Sequence, residues 1–298
     1  MDAARSTGAP VVAGVAETDA GRVVRAAARR ARGLGAGLVL LHAVDWSAPP
    51  GIHASPEAIA EVVLAPWMDL VRTEFPDVEA APRPVAGFPV GALVEASQGA
   101  ALLVVGHHAR HLPARLNPGS VAMALAGRTH CPLEVVHPGT IDRPAQMRGA
   151  VVVAASGEEA EDLAVLEYAL SEARRRGASL GIVYAARHPQ VLTPPLAPEG
   201  QRSRDGITAQ AARTLRARLG PLRAAFPDVP VRVEAELGSP ARALLAAAEE
   251  AELVVVGAHG RGILGRLFAG SVSCEVLHRA PCPVVVVPLV PEGAAAAA

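Results

Sequence analysis

The 298-residue chain contains no lysine, so all 28 of its basic residues are arginine. A Walker-type phosphate loop needs a lysine on the phosphates, and a Schiff-base enzyme needs a lysine amine. Both kinds of site are therefore excluded. Aromatic residues make up only 3% of the chain, so its cores must be built from Val, Leu, Ile and Ala. That composition is typical of buried parallel strands covered by Ala-rich helices.

Cysteine, net charge and long apolar runs are also scarce. Cys131, Cys274 and Cys282 show no CxxC or zinc-ligand spacing, which predicts buried thiols in a reducing cytosol. The net charge is −1 with no basic stripe, so no nucleic-acid partner is expected. No N-terminal signal pattern is present, and no apolar run approaches the ~20 residues of a membrane span. The sequence therefore predicts a soluble, cytoplasmic protein without a membrane partner.

The chain repeats itself. Residues 75–136 return without a gap as residues 226–287, and both segments open on the tetrapeptide FPDV. Gly35-Ala36 returns as Gly177-Ala178, 142 residues later, whereas residues 75–136 return 151 residues later. The second copy therefore carries nine extra residues between these two points. We assign them to the Pro-rich segment 188–206. We predict two domains at 10–137 and 150–288, a linker at 138–149, and disordered ends at 1–9 and 289–298.

Each copy alternates five short β runs with helical stretches, which implies parallel strands joined by right-handed crossovers. The strands predicted for the second copy are 151–155, 180–185, 231–236, 253–257 and 284–287.

A glycine pattern follows the fourth β run of the second copy. It reads G-x2-G-x9-G-S and comprises Gly257, Gly260, Gly270 and Ser271. Glycine allows a sharp turn and close approach of the backbone to a ligand. A helix opening at Gly270-Ser271 presents free N–H groups and its positive dipole end, which favour phosphate, and Ser271 and Ser273 can add hydroxyl donors. A tight turn before a capped helix gives a similar pattern, so the spacing alone leaves both interpretations open.

Residues 251–287, AELVVVGAHGRGILGRLFAGSVSCEVLHRAPCPVVVV, closely resemble the universal stress protein family, and the resemblance extends to both halves. It implies two Rossmann-like (adenine nucleotide α-hydrolase-like) α/β domains, each with a five-stranded parallel sheet in the order 3-2-1-4-5. This order puts the last strand of each copy, at 133–136 and 284–287, at a sheet edge, where an unpaired strand invites pairing. The resemblance therefore implies that the two domains pair with each other through these strands. It also implies binding of ATP, or of AMP or ADP, with Mg²⁺. In the family, the phosphates contact the positions of Gly257, Gly260, Gly270 and Ser271, and the ribose and adenine contact the loop after the first strand and the position of Ala185. The candidate binding residues are these positions together with neighbours in the same loop and helix start: Ala154, Ala155, Ser156, Ala185, Gly257, His259, Gly260, Arg261, Gly270, Ser271, Val272 and Ser273.

Two departures from the family pattern weaken the site. ATP-binding members carry an Asp just after the first strand, where this chain has Ser156 and Ala16; the lost carboxylate removes a hydrogen bond of about 1.5–3 kcal/mol. In the first copy the second glycine is replaced by Ala109, although Gly119-Ser120 is retained. We therefore predict that the first domain is a structural partner with little nucleotide binding.

Several residues near the loops have competing interpretations. His259 and Arg261, repeated at His108 and Arg110, either contact phosphate or belong to an ordinary turn. His107, His108 and His111 are interpreted as solvent-facing loop residues rather than a metal site, because no ligand set has fixed spacing. Cys274, in the first turn of the last helix, is interpreted as a packed thiol rather than a thiolate.

The sequence names no catalytic residue, because it has neither an SGGxDS loop nor a GxGxxG loop after the first strand. The function predicted from the resemblance is a bacterial ATP-binding regulatory, stress-response module. Two alternatives stay open: a nucleotide-free interaction scaffold, and a very slow ATPase or self-phosphorylating protein. Association of two chains into a homodimer is also left open.

Overall fold

A computed structural model describes residues 8–16, 19–44, 55, 58, 60–107, 121–138, 149–155, 159–186, 198–258 and 271–289. These residues form two compact units, unit 1 from residues 8–138 and unit 2 from residues 149–289. No described helix is both long enough and apolar enough to cross a membrane.

Unit 1 is a five-stranded parallel sheet with helices between its strands. The pairings β1–β2, β2–β3, β1–β4 and β4–β5 are all parallel and give the order β3-β2-β1-β4-β5. A π-helical turn at Ala60–Leu64 leads into helix α2. The strands are β1 (Val11–Gly14), β2 (Leu38–Val44), β3 (Ala80–Ala86), β4 (Leu102–Gly106) and β5 (Leu133–Val136), and the helices are α1 (Ala20–Leu34), α2 (Ala65–Glu74), α3 (Pro89–Ser97) and α4 (Val121–Leu125).

Unit 2 repeats this arrangement. Its parallel pairings β6–β7, β7–β8, β6–β9 and β9–β10 give the order β8-β7-β6-β9-β10. In each unit this is the predicted five-stranded parallel sheet in the order 3-2-1-4-5. The strands are β6 (Val151–Ala155), β7 (Leu180–Ala186), β8 (Val231–Leu237), β9 (Leu253–Gly257) and β10 (Val284–Val287), and the helices are α5 (Glu159–Arg176), α6 (Pro198–Arg218), α7 (Gly220–Ala225), α8 (Pro240–Ala248) and α9 (Ser271–Arg279).

The buried strands explain the shortage of aromatics. Every residue of β9 and β10 is buried, as expected for strands covered by helices on both faces. In α1 the side chains of Ala27, Ala28 and Ala31 are fully buried, and their small size allows the helix to lie close to the sheet. Gly35 caps the C-terminus of this helix, and its φ of 61° is the left-handed value that favours glycine there.

One interaction is preserved in both copies. The Arg32 guanidinium lies over the ring of Phe75, 4.8 Å from its centroid, and Arg174 lies in the same way over Phe226 at 4.6 Å. Each pair joins the first helix of a unit to the turn that precedes its third strand. A cation over an aromatic face is attracted by the ring quadrupole, so this contact helps to fix that helix in each unit.

Part of the segment 188–206, to which the extra residues of the second copy were assigned, is helical. Helix α6 begins at Pro198, so the last nine residues of the segment lie in it, and residues 187–197 fall outside the described part of the chain. Proline is tolerated in the first turn of a helix, because the N–H that it lacks would have no intrahelical partner there. Much of the extra length of the second copy is therefore helical.

Candidate functional site

The candidate site lies at the carboxyl ends of β6 and β9, which are neighbours in the sheet of unit 2. Val153 of β6 lies opposite Val255 of β9. The strand that follows β6 in the chain, β7, pairs with one side of β6, whereas β9, which follows β8, pairs with the other side. The strand order therefore reverses between β6 and β9. Open α/β sheets bind ligands at such a reversal, outside the carboxyl ends of the strands.

Backbone and side-chain hydrogen bonds hold the two described ends of the glycine pattern together. At the end of β9 the Ala258 N–H donates to the Val287 carbonyl at 2.9 Å. From the first turn of α9, the Ser273 hydroxyl donates to the Gly257 carbonyl at 2.9 Å. The Ser273 side chain is only 3% exposed. The start of α9 is therefore anchored to the end of β9.

This anchoring corrects two details of the sequence prediction. A hydroxyl has one proton to donate, and Ser273 uses it on Gly257 rather than offering it to a phosphate. Gly257 also does not start a sharp turn: the described glycines with positive φ are Gly35, Gly87, Gly177 and Gly238, and Gly257 pairs with Val287 as the last residue of β9. The observed role of Gly257 is to accept the Ser273 hydrogen bond through its carbonyl, and it does not depend on the conformational freedom of glycine.

The first turn of α9 supplies the groups that suit an anion. The helix begins at Ser271 and runs for nine residues. Backbone N–H groups in the first turn have no acceptor within their own helix, and the positive end of the helix dipole lies there. This turn, with Ser271 and Val272, is the part of the predicted site that the structure places beside the strand-order reversal.

The remaining predicted residues divide into placed and unplaced ones. Ala154 and Ala155 are the last two residues of β6, at the expected sheet edge. Ala185 is the next-to-last residue of β7 and lies opposite Glu236 of β8. Outside the described residues lie Ser156, His259, Gly260, Arg261 and Gly270.

A buried carboxylate near this edge was missed by the sequence analysis. Asp162 lies in the first turn of α5, the helix that follows β6, and its side chain is buried. The N-terminal turn of a helix favours a negative charge. A carboxylate placed three to four residues into a helix resembles an ordinary capping or surface residue in sequence, so no pattern signalled its burial.

Two of the three cysteines are buried, as predicted, whereas Cys274 is partly exposed. Cys131 and Cys282 are buried, and burial raises the pKa of the Cys131 thiol to about 11. Burial also raises the pKa of Cys274 above its ordinary value, so its position in the first turn of α9 does not yield a thiolate at neutral pH. Among the described residues, no group of three or more His, Cys, Asp or Glu side chains could hold a metal ion.

The equivalent edge of unit 1 is built differently. His107 follows β4, its N–H donates to the Val136 carbonyl at 2.9 Å, and its ring stacks on His137 with 4.6 Å between centroids. The two side chains are 8% and 4% exposed, so the prediction of a solvent-facing His107 was wrong. His108 and His111 lie outside the described residues. Ala258 and Pro288 occupy the equivalent positions of unit 2.

Unit 1 also lacks the anchoring bond. The position equivalent to Ser273 is Ala122, which is buried in α4. An alanine side chain cannot donate to the carbonyl of Gly106, the equivalent of Gly257. Instead, the end of β1 is bound by a side chain from β2: His42 Nδ1 lies 2.8 Å from the Val15 carbonyl, which can only accept, so Nδ1 carries the proton.

The family model described as the universal stress protein family matches residues 9–137 and again residues 147–288. Universal stress protein Rv2623 of Mycobacterium tuberculosis is 32% identical over 300 residues, which cover 93% of this chain and 95% of that protein. Universal stress protein Rv2005c of the same species is 36% identical over 198 residues, or 66% of this chain. That second match spans just under two thirds (65%) of the relative's own length.

A solved structure shares the fold over nearly the whole chain. The universal stress protein from Archaeoglobus fulgidus superposes with a TM-score of 0.68 at 19% identity, covering 95% of this chain and 97% of that one. At this identity the likeness concerns the fold alone. Together with the two family matches and the repeated sheet, it leads to one conclusion: the chain belongs to the universal stress protein family and carries two of its domains in tandem.

Proposed function

We propose that unit 2 binds an adenine nucleotide, ATP with Mg²⁺, and that the chain is a regulatory stress-response module. Unit 1 serves mainly as a structural partner. The observation that carries this proposal is the hydrogen bond from Ser273 to Gly257. It holds the positive N-terminus of α9 beside the end of β9, where the strand order reverses.

The described residues fit a polyphosphate. The first-turn amides of α9 and its dipole supply positive potential without a lysine, and the chain has none. Gly270, which precedes the helix in sequence and lies outside the described residues, has no side chain that could keep a phosphate away. Gly257 itself contributes through its carbonyl, which orients the helix by accepting from Ser273.

Magnesium would be held chiefly by the nucleotide. Mg²⁺ usually keeps several water ligands and binds through substrate phosphates and one or two carboxylates. The described residues contain no ready-made cluster of three acidic or His ligands, which agrees with a metal that arrives with ATP. Its chemistry when bound is to neutralise part of the phosphate charge.

A pair of glycine variants tests the proposal. Gly270→Ala adds a methyl group where the phosphates would approach, and Gly119→Ala makes the equivalent change in the first copy. In calorimetric titrations of the full chain with MgATP, we expect Gly270→Ala to weaken binding by roughly tenfold or more and Gly119→Ala to leave it unchanged. Equal losses in both variants, or no uptake by the folded parent, would contradict the proposal.

A nucleotide-free interaction scaffold is the second candidate, and one specific observation favours it. Neither copy has the Asp after its first strand. A folded parent chain that takes up no adenine nucleotide in the same titration would support the scaffold. In that case the pairing of the two domains through their last strands, predicted from sequence, becomes the main function to test.

Slow ATP hydrolysis or self-phosphorylation is a third candidate. It predicts ADP release, or phosphate incorporation, that rises in proportion to protein concentration. Both should be lost in Gly270→Ala and kept in Gly119→Ala. Turnover equal in the two variants would assign the activity to a contaminant.

A further inference from the structure

The two units present unequal edge strands. β3 and β8 are the third strands of their copies, and each stands at the end of its sheet order. Within the described part of the chain, β3 pairs only with β2 and β8 pairs only with β7. The outer side of each strand can therefore be compared for its ability to accept a further strand.

The register shows which backbone groups of β8 face outward. Leu180 lies opposite Val231, and its N–H donates to the Pro230 carbonyl at 2.8 Å. Because bonding residues alternate along a parallel ladder, residues 232, 234 and 236 bond to β7, while residues 231, 233, 235 and 237 face outward. A side chain confirms this independently: the Arg216 guanidinium donates to the Val233 carbonyl at 3.3 Å.

The register of β3, read in the same way, shows that two prolines lie on its outer side. Leu38 lies opposite Ala80 and donates to the Glu79 carbonyl at 2.8 Å, so the even-numbered residues face outward. Among them are Pro82 and Pro84, which have no N–H to donate. Prolines at such positions cost no bond within the sheet and block the addition of a strand.

β8 carries no such block. The positions equivalent to Pro82 and Pro84 are Val233 and Ala235, and both keep an outward N–H. The outer side of β8 therefore offers donors and acceptors in alternation, which is what a further strand requires.

The charges on β8 select a partner strand. Along β8 half-buried apolar residues alternate with exposed charged ones, Arg232, Glu234 and Glu236. In an antiparallel pair of two β8 strands, outward residues must face outward residues. A register centred on Arg232 places arginine opposite arginine, and one centred on Glu234 places glutamate opposite glutamate. A register centred on Val233 places Arg232 opposite Glu234 of the second copy, twice by symmetry.

We propose that β8 is a dimerisation edge, through which two copies of this chain pair antiparallel in the register centred on Val233. The two Val233 residues then exchange N–H to carbonyl bonds, and Arg216 gives up its present acceptor. The Arg232 and Glu234 side chains of opposite copies are cross-strand neighbours on the exposed face, where opposite charges attract. Unit 1 cannot form the equivalent pair, because Pro82 and Pro84 remove the two central outward donors of β3.

A charge-reversal experiment on the full chain tests both the surface and the register. Arg232→Glu leaves two acidic residues facing two acidic residues, and Glu234→Arg leaves basic facing basic. In sedimentation velocity over a range of chain concentrations, each variant alone should dimerise roughly tenfold or more weakly than the parent. An equimolar mixture of the two should regain dimerisation, because the acidic edge of one variant meets the basic edge of the other.

A parent chain that is monomeric at every concentration reached would overturn the proposal, and so would a mixture that dimerises as weakly as its components. The double change Val233→Pro with Ala235→Pro gives β8 the pattern of β3 without removing a bond to β7. It should yield a monomer with unchanged far-ultraviolet circular dichroism. A dimer that persists in this variant would place the interface elsewhere.

Discussion

The Ser273 hydroxyl and the Gly257 carbonyl, 2.9 Å apart, join the first turn of α9 to the end of β9. The bond lies at the one edge of unit 2 where a ligand is expected. A buried carbonyl without a donor is costly, and a helix start without an anchor is free to move. Ser273 is therefore a positioning residue, and it has no equivalent in unit 1, where Ala122 stands in its place.

Replacing Ser273 by alanine tests this role. Loss of the donor leaves the Gly257 carbonyl unpaired, so we expect Ser273→Ala to lower the free energy of unfolding by about 1–3 kcal/mol. If the proposed function holds, MgATP affinity should fall several-fold as well, because the α9 amides are no longer held in place. Urea denaturation and calorimetry measure the two effects.

The conservative variant Ser273→Thr separates positioning from a general loss of packing. It keeps the hydroxyl and should retain most of the affinity. Amide hydrogen exchange at Ala258 and in the first turn of α9 should rise in Ser273→Ala, with or without nucleotide. Unchanged exchange there would show that the bond does not hold the helix, whatever the chain binds.

The histidine pair of unit 1 leads to a second prediction. His107→Ala introduces the residue that unit 2 has at this position, Ala258. Because it removes a ring stacked on His137 in a buried place, we expect a loss of about 2–4 kcal/mol in unfolding free energy. The reverse change, Ala258→His, adds a ring where Pro288 offers no stacking partner of its kind. Chemical denaturation gives the free energy of unfolding of both variants. A loss under 1 kcal/mol in His107→Ala would contradict a packing role for the His107 ring.

The sequence predicted the sheet well because its strands are short valine-rich runs bounded by Gly or Pro. Three of the predicted strands, Val151–Ala155, Leu253–Gly257 and Val284–Val287, have the same bounds in the structure. The sequence did not signal the helix that begins at Pro198, because proline occurs both in loops and in the first turn of a helix. Composition cannot separate these cases when no apolar period is visible.

The site was less predictable than the fold. Ser273 was assigned to a phosphate because a serine near a helix start is typical of such sites, but the nearest carbonyl decides where its proton goes. His107 was assigned to a loop because nothing near it in sequence signals burial. Its partner, His137, follows a different strand, and only the pairing of β4 with β5 brings the two rings together.

The pH dependence of stability should carry a signature of Cys131. Burial raises the pKa of its thiol to about 11 from an ordinary value of 9.0, so above pH 9.0 the unfolded chain loses this proton before the folded chain does. The folded state then binds more protons, and stability must fall as the pH rises from about 9 to about 11, by at most roughly 1.4 kcal/mol per pH unit. Below that window the thiol contributes no pH dependence.

Cys131→Ala isolates this contribution. Removing the thiol costs stability at pH 8, but the difference between parent and variant should shrink as the pH approaches 11. The stability of Cys282→Ala, which also removes a buried thiol, is measured over the same pH range for comparison. Parallel curves for the parent and Cys131→Ala across this range would show that the thiol ionises as readily in the folded protein as in the unfolded chain.

The last prediction concerns the exposed ion pair between Arg32 and Asp77, beside Phe75. Two guanidinium nitrogens of Arg32 donate to the Asp77 carboxylate, at 2.8 Å from Nε and 2.7 Å from Nη2, and this hydrogen bonding lowers the pKa of Asp77. A lowered pKa in the folded state means that the stabilisation is present above the ordinary pKa of an aspartate and is lost as the pH falls through the folded value. Carbon-detected NMR should show Asp77 titrating below its usual range in the parent and near that range in Arg32→Met. Because both groups are exposed to solvent, added salt should reduce the difference; an Asp77 titration that is the same in the two proteins would mean that the pair is not formed in solution.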